Sequence, residues 1–442
     1  MPGNVFYRSP TQHYPVCVRG EGVYLYDSTG KQYLDGSGGA AVSCLGHGNV
    51  DVLNAIRQQV GDLAFAHTSF FTNRPQEVLA SMLSDRFGES GSKVYFVSGG
   101  SEANETAIKL ARQYWLAKGA ASRTLFISRH QSYHGNTLGA LSLSGFPGRR
   151  EIYNSMLFDW PKIEPCYPYR LRRDDESDEQ YAQRSASALE KAIVEAGPDN
   201  VAAFVAETVS GATLGAVAAA TGYFARVREI CDRFGVLLIL DEVMAGSGRT
   251  GSYFAFEQEN IRPDIVTLAK GLGGGYQPIG ATVCREFIHR QIVDAHGEFA
   301  HGHTYVGHAT ACAAGVAVQN VLDNAHLLSN VEARGRDLRD QLWATFAEHP
   351  NVGDIRGRGL FVAIELVCDK ETREPPSASL GLPATIRTLA MAEGLICYPV
   401  GGTADGHDGA HILLAPPFIF AEAHIQELVG KLEKILAEIE LG

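Results

Sequence analysis

The chain has 442 residues, 45% of them hydrophobic, which is enough to bury a large core built from two or three structural units. Its net charge of −12 disfavours a general nucleic-acid or anionic-membrane surface, so we expect neither partner. No apolar run reaches the roughly 20 residues of a membrane helix, the eight cysteines form no CxxC pair and the N-terminus has no signal-peptide pattern. We therefore expect a cytoplasmic protein with reduced thiols.

Short apolar runs alternate with helical patterns between residues 51 and 315. Runs such as VAAFVAE, VLLILDEV and DIVTLAK are separated by amphipathic stretches such as NETAIKLARQYWLAKG and YFARVREICDRFG. Strands that are apolar on both faces and alternate with helices are typical of a mainly parallel sheet covered by helices on both faces. We therefore predict a large α/β domain over residues 51–315.

The two flanking segments show different patterns. Near the N-terminus, GVYLYDSTGKQYLDG predicts a hairpin around an Asp-Ser-Thr-Gly turn. After residue 315, helical patterns surround the apolar run FVAIELV, and the chain closes with AEAHIQELVGKLEKILAEIE. We predict a smaller C-terminal α+β domain over residues 316–442, with residues 1–50 packed beside it. The charge run RLRRDDESDEQ is interpreted as a solvated loop.

Glycine and polar residues follow several predicted strands, at the edge of the sheet where ligands bind in such folds. The turn in KVYFVSGGSEANETAIKLA joins a strand to a helix, so its backbone NH groups and the helix dipole are available to a phosphate. Gly100 and Ser101 are the best candidate anion ligands, although a Gly-Gly helix entry with Ser101 as N-cap is also common. The segment HGHTYVGH lacks a carboxylate or cysteine at a familiar ligand spacing, so we predict no metal site.

Two further residues suit a planar, cationic ligand. Tyr133 follows the run RTLFIS, where its ring could stack on a ligand or simply pack in a loop. Asp241 ends VLLILD, and a carboxylate at the buried end of a strand needs a cation, either a ligand's protonated ring nitrogen or an arginine such as Arg249. At about 4 Å and an effective dielectric near 20, such a pair is worth about 4 kcal/mol.

The segment TLAKGLGGGYQPIGA leaves three interpretations of Lys270: a surface charge, a phosphate ligand or a nucleophile. Lys270 follows an apolar run and precedes glycines that let a ligand or another backbone come close. Partial desolvation would lower its pKa and favour a Schiff base. Together with Asp241, Tyr133 and the Gly100-Ser101 turn, it predicts a nucleophile in a site for pyridoxal 5′-phosphate (PLP).

These residues lie in a series of spaced motifs that resembles the class III, ω-type aminotransferases, PLP enzymes of fold type I. The motifs are RGEGVYLYDSTGKQYLDG, SGGSEANETAIKLAR, SYHGNT, AETVSG, LLILDEVMAGSGRTG, TLAKGLGGGYQPIGA, HGHTYVGHATACAAG and LLAPPF. The resemblance covers essentially the whole chain. It implies a transaminase that moves an amino group from an amine or (ω-)amino acid to a keto acid such as pyruvate, in two successive half-reactions.

The resemblance also implies how the cofactor is held. Gly100 and Ser101 are expected to hold its phosphate, Tyr133 to stack on its ring, Asp241 to pair with its pyridine nitrogen, and Val243 to pack on the opposite face. The motif positions that carry these roles match the family residue by residue.

Three more residues take roles from the resemblance. Lys270 is expected to form the Schiff base and to move the proton, and Glu207 of AETVSG to lie near the phenolic side of the cofactor. Thr304 of HGHTYVG is expected to reach the phosphate in the neighbouring subunit. A homodimer with shared active sites follows, with a tetramer of two such dimers as the alternative.

The sequence departs from the family where substrate is bound. Ornithine-type members carry an arginine three residues before the Pro-Pro of the last motif, where this chain has Leu413. Many amine:pyruvate members place an arginine in the preceding loop, whereas CYPVGGTADGHDGAH contains none. Because an arginine is the usual partner of a substrate carboxylate, this recognition is left unexplained. The candidate substrate residues are Tyr7, Arg8, Phe70, Phe71, Tyr398, His407 and His411.

Other functions remain open at the level of sequence. A racemase or an amine phospho-lyase would use the same PLP residues and differ in the product released. A non-catalytic relative is disfavoured by the intact Lys270, Asp241 and Tyr133. A nucleotide-binding enzyme is disfavoured because neither G-x-G-x-x-G after a first strand nor G-x-x-x-x-G-K-[ST] is present.

Overall fold

The computed structural model describes residues 4–9, 12, 14–439 and 441. The strands β1 to β17 are, in chain order, Cys17–Glu21, Tyr24–Asp27, Gln32–Asp35, Lys93–Val97, Leu125–Arg129, Lys162–Ile163, Val201–Glu207, Val209–Ser210, Val217–Ala218, Leu237–Asp241, Ile265–Leu268, Gly280–Cys284, Val352–Arg358, Phe361–Leu366, Leu395–Ile396, Tyr398–Gly401 and Ala410–Leu414. The helices α1 to α14 are Gly38–Ala41, Val50–Asp62, Arg74–Phe87, Gly100–Ala117, Leu138–Leu143, Pro147–Arg150, Pro168–Leu171, Asp178–Ala196, Tyr223–Phe234, Glu286–His296, Ala309–Asn324, Leu327–Phe346, Leu382–Ala392 and Glu422–Ala437. None of these helices is both long and apolar enough to cross a membrane.

The central sheet has seven strands in the order β4-β12-β11-β10-β7-β5-β6. Strands β6, β5, β7, β10 and β11 run parallel, and β12 is antiparallel to both of its neighbours. The α/β class with a mainly parallel sheet covered on both faces, as predicted from the alternating apolar runs, is confirmed.

Successive residues of a strand point to opposite faces of the sheet, so a continuous apolar run makes both faces apolar. In β7, Phe204 faces a core shared with α8 and α9, whereas Val205 faces the core under α4 and α10. Leu238 and Ile239 divide in the same way in β10. Burial on both sides explains why these strands read as continuous apolar runs.

The register of the parallel strands places several polar residues at one edge. Asp241 is paired with Glu207 of β7 and with Thr267 of β11. All three lie at the carboxyl ends of their strands, and the chain continues from β11 through Ala269 to Lys270. This edge is where ligands bind in open α/β sheets.

Two four-stranded sheets and the two-stranded pair β8-β9 are separate from the central sheet. The predicted hairpin is present as β2 and β3, which pair antiparallel, and β3 also pairs in parallel with β15 from the C-terminal segment. Strands β13, β14, β17 and β16 form an antiparallel sheet. The domain boundaries at residues 50 and 315 stay a prediction.

Candidate active site

A cavity of about 400 Å³ opens at the carboxyl edge of the central sheet. Its wall brings together residues as far apart in the sequence as Val42 and Ile279, and the glycine turn before α4 and the ends of β7, β10 and β11 meet there. The cofactor residues predicted from the motifs that line it are Gly100, Ser101, Tyr133, Glu207, Asp241, Val243 and Lys270.

Asp241 is held by three hydrogen bonds. Its Oδ2 accepts from Asn104 Nδ2 at 2.8 Å and lies 2.9 Å from His134 Nδ1, while its Oδ1 accepts from the Val243 NH at 2.9 Å. Asn104 is fixed in turn because its Oδ1 accepts from Thr267 Oγ1 at 3.2 Å. Oδ1 keeps capacity for a second donor in the cavity, as a protonated ring nitrogen requires.

The alternative that Asp241 pairs with Arg249 is wrong. Arg249 is buried elsewhere, where its Nη1 donates to the Leu360 carbonyl at 3.0 Å and its guanidinium lies 4.5 Å from the ring centre of Phe418. Among the residues that the structure describes, Asp241 therefore has no guanidinium partner that would compete with a cationic ligand.

Lys270 is partly buried and has an unusual backbone conformation. Its φ of 49° lies in the left-handed region that non-glycine residues rarely occupy, at a cost on the order of 1–3 kcal/mol. Burial lowers the pKa of its amine to about 8, against the opposing attraction of Asp241 and Glu207. At pH 7 this raises the neutral, nucleophilic fraction about 300-fold over a lysine with an ordinary pKa.

The glycine turn before α4 forms the opposite end of the cavity. The residue that precedes the helix is Gly99, which supplies no side-chain cap, so the alternative of Ser101 as N-cap is wrong. Ser101 Oγ instead accepts from the Asn136 NH at 2.9 Å. A Cβ on Gly100 would lie 2.8 Å from Val243 Cγ1, so only glycine lets the helix terminus and Val243 approach this closely. The positive end of this 18-residue helix is therefore available to a phosphate here.

Glu207 joins the two sides of the cavity. Its Oε1 accepts from the Tyr133 NH at 3.2 Å and its Oε2 from the Gly211 NH at 2.7 Å. Burial raises the pKa of its carboxyl, with the nearby Asp241 adding to that effect. Glu207 thus fixes the loop that carries the Tyr133 ring.

The other predicted residues lie outside the cavity lining. Thr304 is in an exposed turn. Phe70 and Phe71 are 80% and 67% exposed, and Tyr7 is exposed and stacks on Tyr14. Arg8 is also exposed.

The C-terminal candidates occupy three different environments. His411 is fully buried in β17, where its Nδ1 lies 2.6 Å from Thr403 Oγ1 and burial lowers its pKa to about 3. Tyr398 is partly buried against the cluster that contains Leu413, and His407 is exposed. Their roles toward substrate stay predictions.

Sequence reasoning missed both Asn104 and His134 as partners of Asp241. A signal was present for Asn104: it is a polar residue on the buried side of α4, between Ala103 and Thr106. The bond itself joins residues 137 positions apart, which no local pattern indicates.

The donors and acceptors of the cavity fit PLP. A glycine helix entry suits its phosphate, a carboxylate with spare acceptor capacity suits its ring nitrogen, and a desolvated lysine suits its aldehyde. The solved ω-transaminase from Pseudomonas jessenii in complex with PMP matches with a TM-score of 0.90 and 33% identity, covering 96% of this chain and 92% of that one. The fold and the site together define a PLP-dependent enzyme of fold type I.

Sequence comparison gives the family within that class. The family model described as aminotransferase class III matches residues 6–436. An uncharacterized aminotransferase of Schizosaccharomyces pombe is 44% identical over 98% of this chain and 94% of its own. Putrescine–pyruvate aminotransferase of Pseudomonas aeruginosa is 34% identical over 95% and 90%, respectively. The chain belongs to the class III aminotransferases and is a PLP-dependent transaminase, which confirms the resemblance inferred from the motifs.

Proposed function

We propose that the protein transfers an amino group from a primary amine or ω-amino acid to a keto acid such as pyruvate. The observation that carries the proposal is the partly buried Lys270, whose pKa is lowered to about 8, in one cavity with Asp241 and Glu207. The similarity to an enzyme named for putrescine and pyruvate supports a donor whose reacting amine stands apart from a carboxylate.

Each residue of the cavity has its own role toward the cofactor or the substrate. Bound PLP supplies an electrophilic carbon and a ring that accepts the electrons released when a donor C–H bond breaks. Lys270 would hold the resting cofactor through Nζ, and its amine, once free, would take up the donor's proton and return it to a neighbouring atom. Asp241 would keep the ring nitrogen of the cofactor protonated, while Asn104 and His134 hold the Asp241 carboxylate in place. Gly100 and Ser101 would bind the phosphate.

Each face of the bound cofactor ring would be covered by one side chain of the cavity. Tyr133 supplies one, and Val243 the other, in the roles that the family resemblance gives them. Their placement on the same cavity as Lys270 and Asp241 supports these roles.

We also propose a homodimer whose partner contributes Thr304. Exposed aromatic residues surround the turn that carries Thr304: Phe65 lies 5.6 Å from Tyr305 between ring centres, and Phe70 packs 6.0 Å from His67. Exposed apolar patches of this kind mark interaction sites. A second copy seated there would cover Phe70 and Phe71 and place its own Thr304 near the phosphate end of the cavity.

Location and domain organisation complete the proposal. All eight cysteines are free, which agrees with a reducing, cytoplasmic environment. The pairing of β3 with β15 supports an N-terminal segment that packs with the C-terminal domain.

The experiment is a donor and acceptor panel with purified, PLP-loaded protein. Putrescine or 1-phenylethylamine alone should convert the cofactor absorbance to that of its aminated form, and pyruvate should then restore it and yield alanine. Failure of both absorbance changes across the panel contradicts transamination of these donors. Racemised amino acid, or phosphate release without a keto acid, would assign the alternative reactions.

A further inference from the structure

The proposed acceptor brings a carboxylate into a partly desolvated cavity, and a carboxylate there needs a cationic partner. Lys270 is committed to the chemistry. The loop 401–409 has no lysine or arginine, and Leu413 packs in an apolar cluster. The cation is therefore expected from residues outside this loop and strand β17.

Arg149, in the short helical turn α6, is a partly buried arginine beside the site. Its guanidinium carbon lies 4.6 Å from the centre of the Tyr133 ring. Its charge also reaches Lys270, where it contributes, after burial, to lowering the pKa of that amine. Stacking on an aromatic ring is a position in which a guanidinium keeps its NH edges free for a planar anion.

The charge of Arg149 is not neutralised within the part of the chain that the structure describes: no acidic side chain there forms an ion pair with it. Its neighbour Arg150 behaves differently, since Arg150 Nη1 donates to the carbonyls of Ser142 and Ser144. One of the two adjacent arginines is thus used to build the fold, and the other is left available beside the cavity.

The turn that carries Arg149 packs against the loop in which an arginine is absent. A Cβ on Gly402 would lie 3.0 Å from Phe146 Cε2, and one on Gly406 would lie 2.8 Å from Pro147 Cδ. His407 Nε2 is 3.8 Å from Glu151 Oε1. The loop 401–409 therefore contacts both ends of α6, and the Arg149 guanidinium lies against the Tyr133 ring.

We propose that Arg149 determines acceptor specificity by binding the carboxylate of the keto acid, with Tyr133 orienting its guanidinium. The assignment rests on the proposed function, because it concerns how the acceptor of that reaction is held. A guanidinium binds a carboxylate through two parallel NH···O bonds, whereas an ammonium offers a point charge.

The test separates the carboxylate from the rest of the reaction. Arg149→Gln, Arg149→Lys and the surface control Arg290→Gln are compared with one amine donor and two acceptors, pyruvate and butanal. We expect Arg149→Gln to raise the KM for pyruvate about 15- to 150-fold, the range for losing a hydrogen-bonded charge. The KM for butanal and the rate of the 1-phenylethylamine half-reaction should stay within about twofold. Arg149→Lys should recover part of the loss.

A binding measurement keeps the proposal testable without turnover. Propionate should raise the melting temperature of the PLP-loaded wild type and of Arg290→Gln, and it should fail to do so for Arg149→Gln. If Arg149→Gln raised the KM for pyruvate and for butanal equally, the proposal would be overturned. Arg149 would then only hold Tyr133 in position. Unchanged KM and propionate binding would also overturn it. A wild type that binds propionate through Arg149 but shows no amine half-reaction would contradict the proposed function alone.

Discussion

At the scale of single residues, the lowered pKa of Lys270 predicts a pH dependence for cofactor attachment. The neutral amine is the nucleophile, so the rate at which apoenzyme takes up PLP covalently should rise with pH through about 8 and then level off. A lysine with an ordinary pKa would give a rate that still rises above pH 9. Stopped-flow absorbance from pH 6 to 10 measures the profile, and Lys270→Ala, which lacks the amine, should give no covalent phase.

Asp241 offers a second test at this scale. Asp241→Asn keeps the shape of the side chain but removes the charge, so the proton on the ring nitrogen loses about 4 kcal/mol of stabilisation. The rate of the amine half-reaction should fall on the order of 100- to 1,000-fold. Asn104→Ser leaves the charge of Asp241 and removes the 2.8 Å hydrogen bond to it, together with the bonds of Asn104 to the His134 carbonyl and Thr267, so a loss of about tenfold is expected. Single-turnover measurements of the amine half-reaction test both expectations. Equal rates for Asp241→Asn and the wild type would contradict the role of Asp241.

Some residues of the site could be predicted from the sequence and others could not. Lys270, Asp241 and the Gly100-Ser101 turn could be predicted because each stands at a change in local pattern, from an apolar run to a polar residue or to glycines. Asn104 and Arg149 could not, because their importance depends on what lies beside them after folding. Arg149 gains its position only through contact of its turn with Tyr133 and with a loop some 250 residues further on.

At the scale of elements, the parallel strands were predictable and the antiparallel one was not. Strands β7, β10 and β11 are apolar on both faces, so each gave a continuous run of the predicted length. Strand β12 is GATVC, directly after Pro278 and Ile279, and has too few apolar residues to form such a run. The interpretation of RLRRDDESDEQ as a solvated loop is wrong at both ends. Arg170 lies in α7, where its Nε bonds to the buried Glu365 Oε1 at 2.5 Å, and α8 begins at Asp178.

Strand β12, which the sequence did not predict, contacts the backbone at the phosphate end of the cavity. A Cβ on Gly280 of β12 would lie 2.6 Å from the Gly99 carbonyl oxygen, which is backbone and cannot rotate away. Gly280→Ala should displace the turn before α4, weaken PLP binding about tenfold and destabilise the fold by about 1–3 kcal/mol. The matched control is Gly430→Ala in α14, where a Cβ meets nothing within 4 Å and should stabilise the helix slightly.

Equilibrium dialysis gives the PLP affinity of these two variants, and urea denaturation of the apoenzymes gives their stability. A Gly280→Ala variant that binds PLP as tightly as the Gly430→Ala control would show that the turn does not depend on β12.

At the scale of the whole molecule, the proposed dimer predicts complementation between two damaged chains. Thr304→Ala homodimers should lose PLP faster than the wild type, because each phosphate lacks a hydroxyl from the partner. In a mixed dimer of Thr304→Ala with Lys270→Ala, one site regains both an intact Lys270 and an intact Thr304. That site should release PLP at the wild-type rate, whereas sites built within one chain would show no such recovery.

Light scattering checks the same proposal directly. The wild type should have twice the mass of one chain, or four times if dimers pair again. Substituting Phe70 and Phe71 by serine should shift the population toward single chains, because these exposed rings would lose their contact area. A monomeric wild type with full activity would contradict the shared site.

The parallel pairing of β3 with β15 has a consequence for how the chain is made. Lys31 beside β3 donates to the Ala392 carbonyl, 361 residues further along, so the first sheet closes only when most of the chain has left the ribosome. At about 5–20 residues per second, the edge of β3 waits about 20–70 s for its partner strand. During synthesis that open edge is the part of the N-terminal segment most exposed to wrong pairing, and chaperones that bind extended segments have their clearest target there.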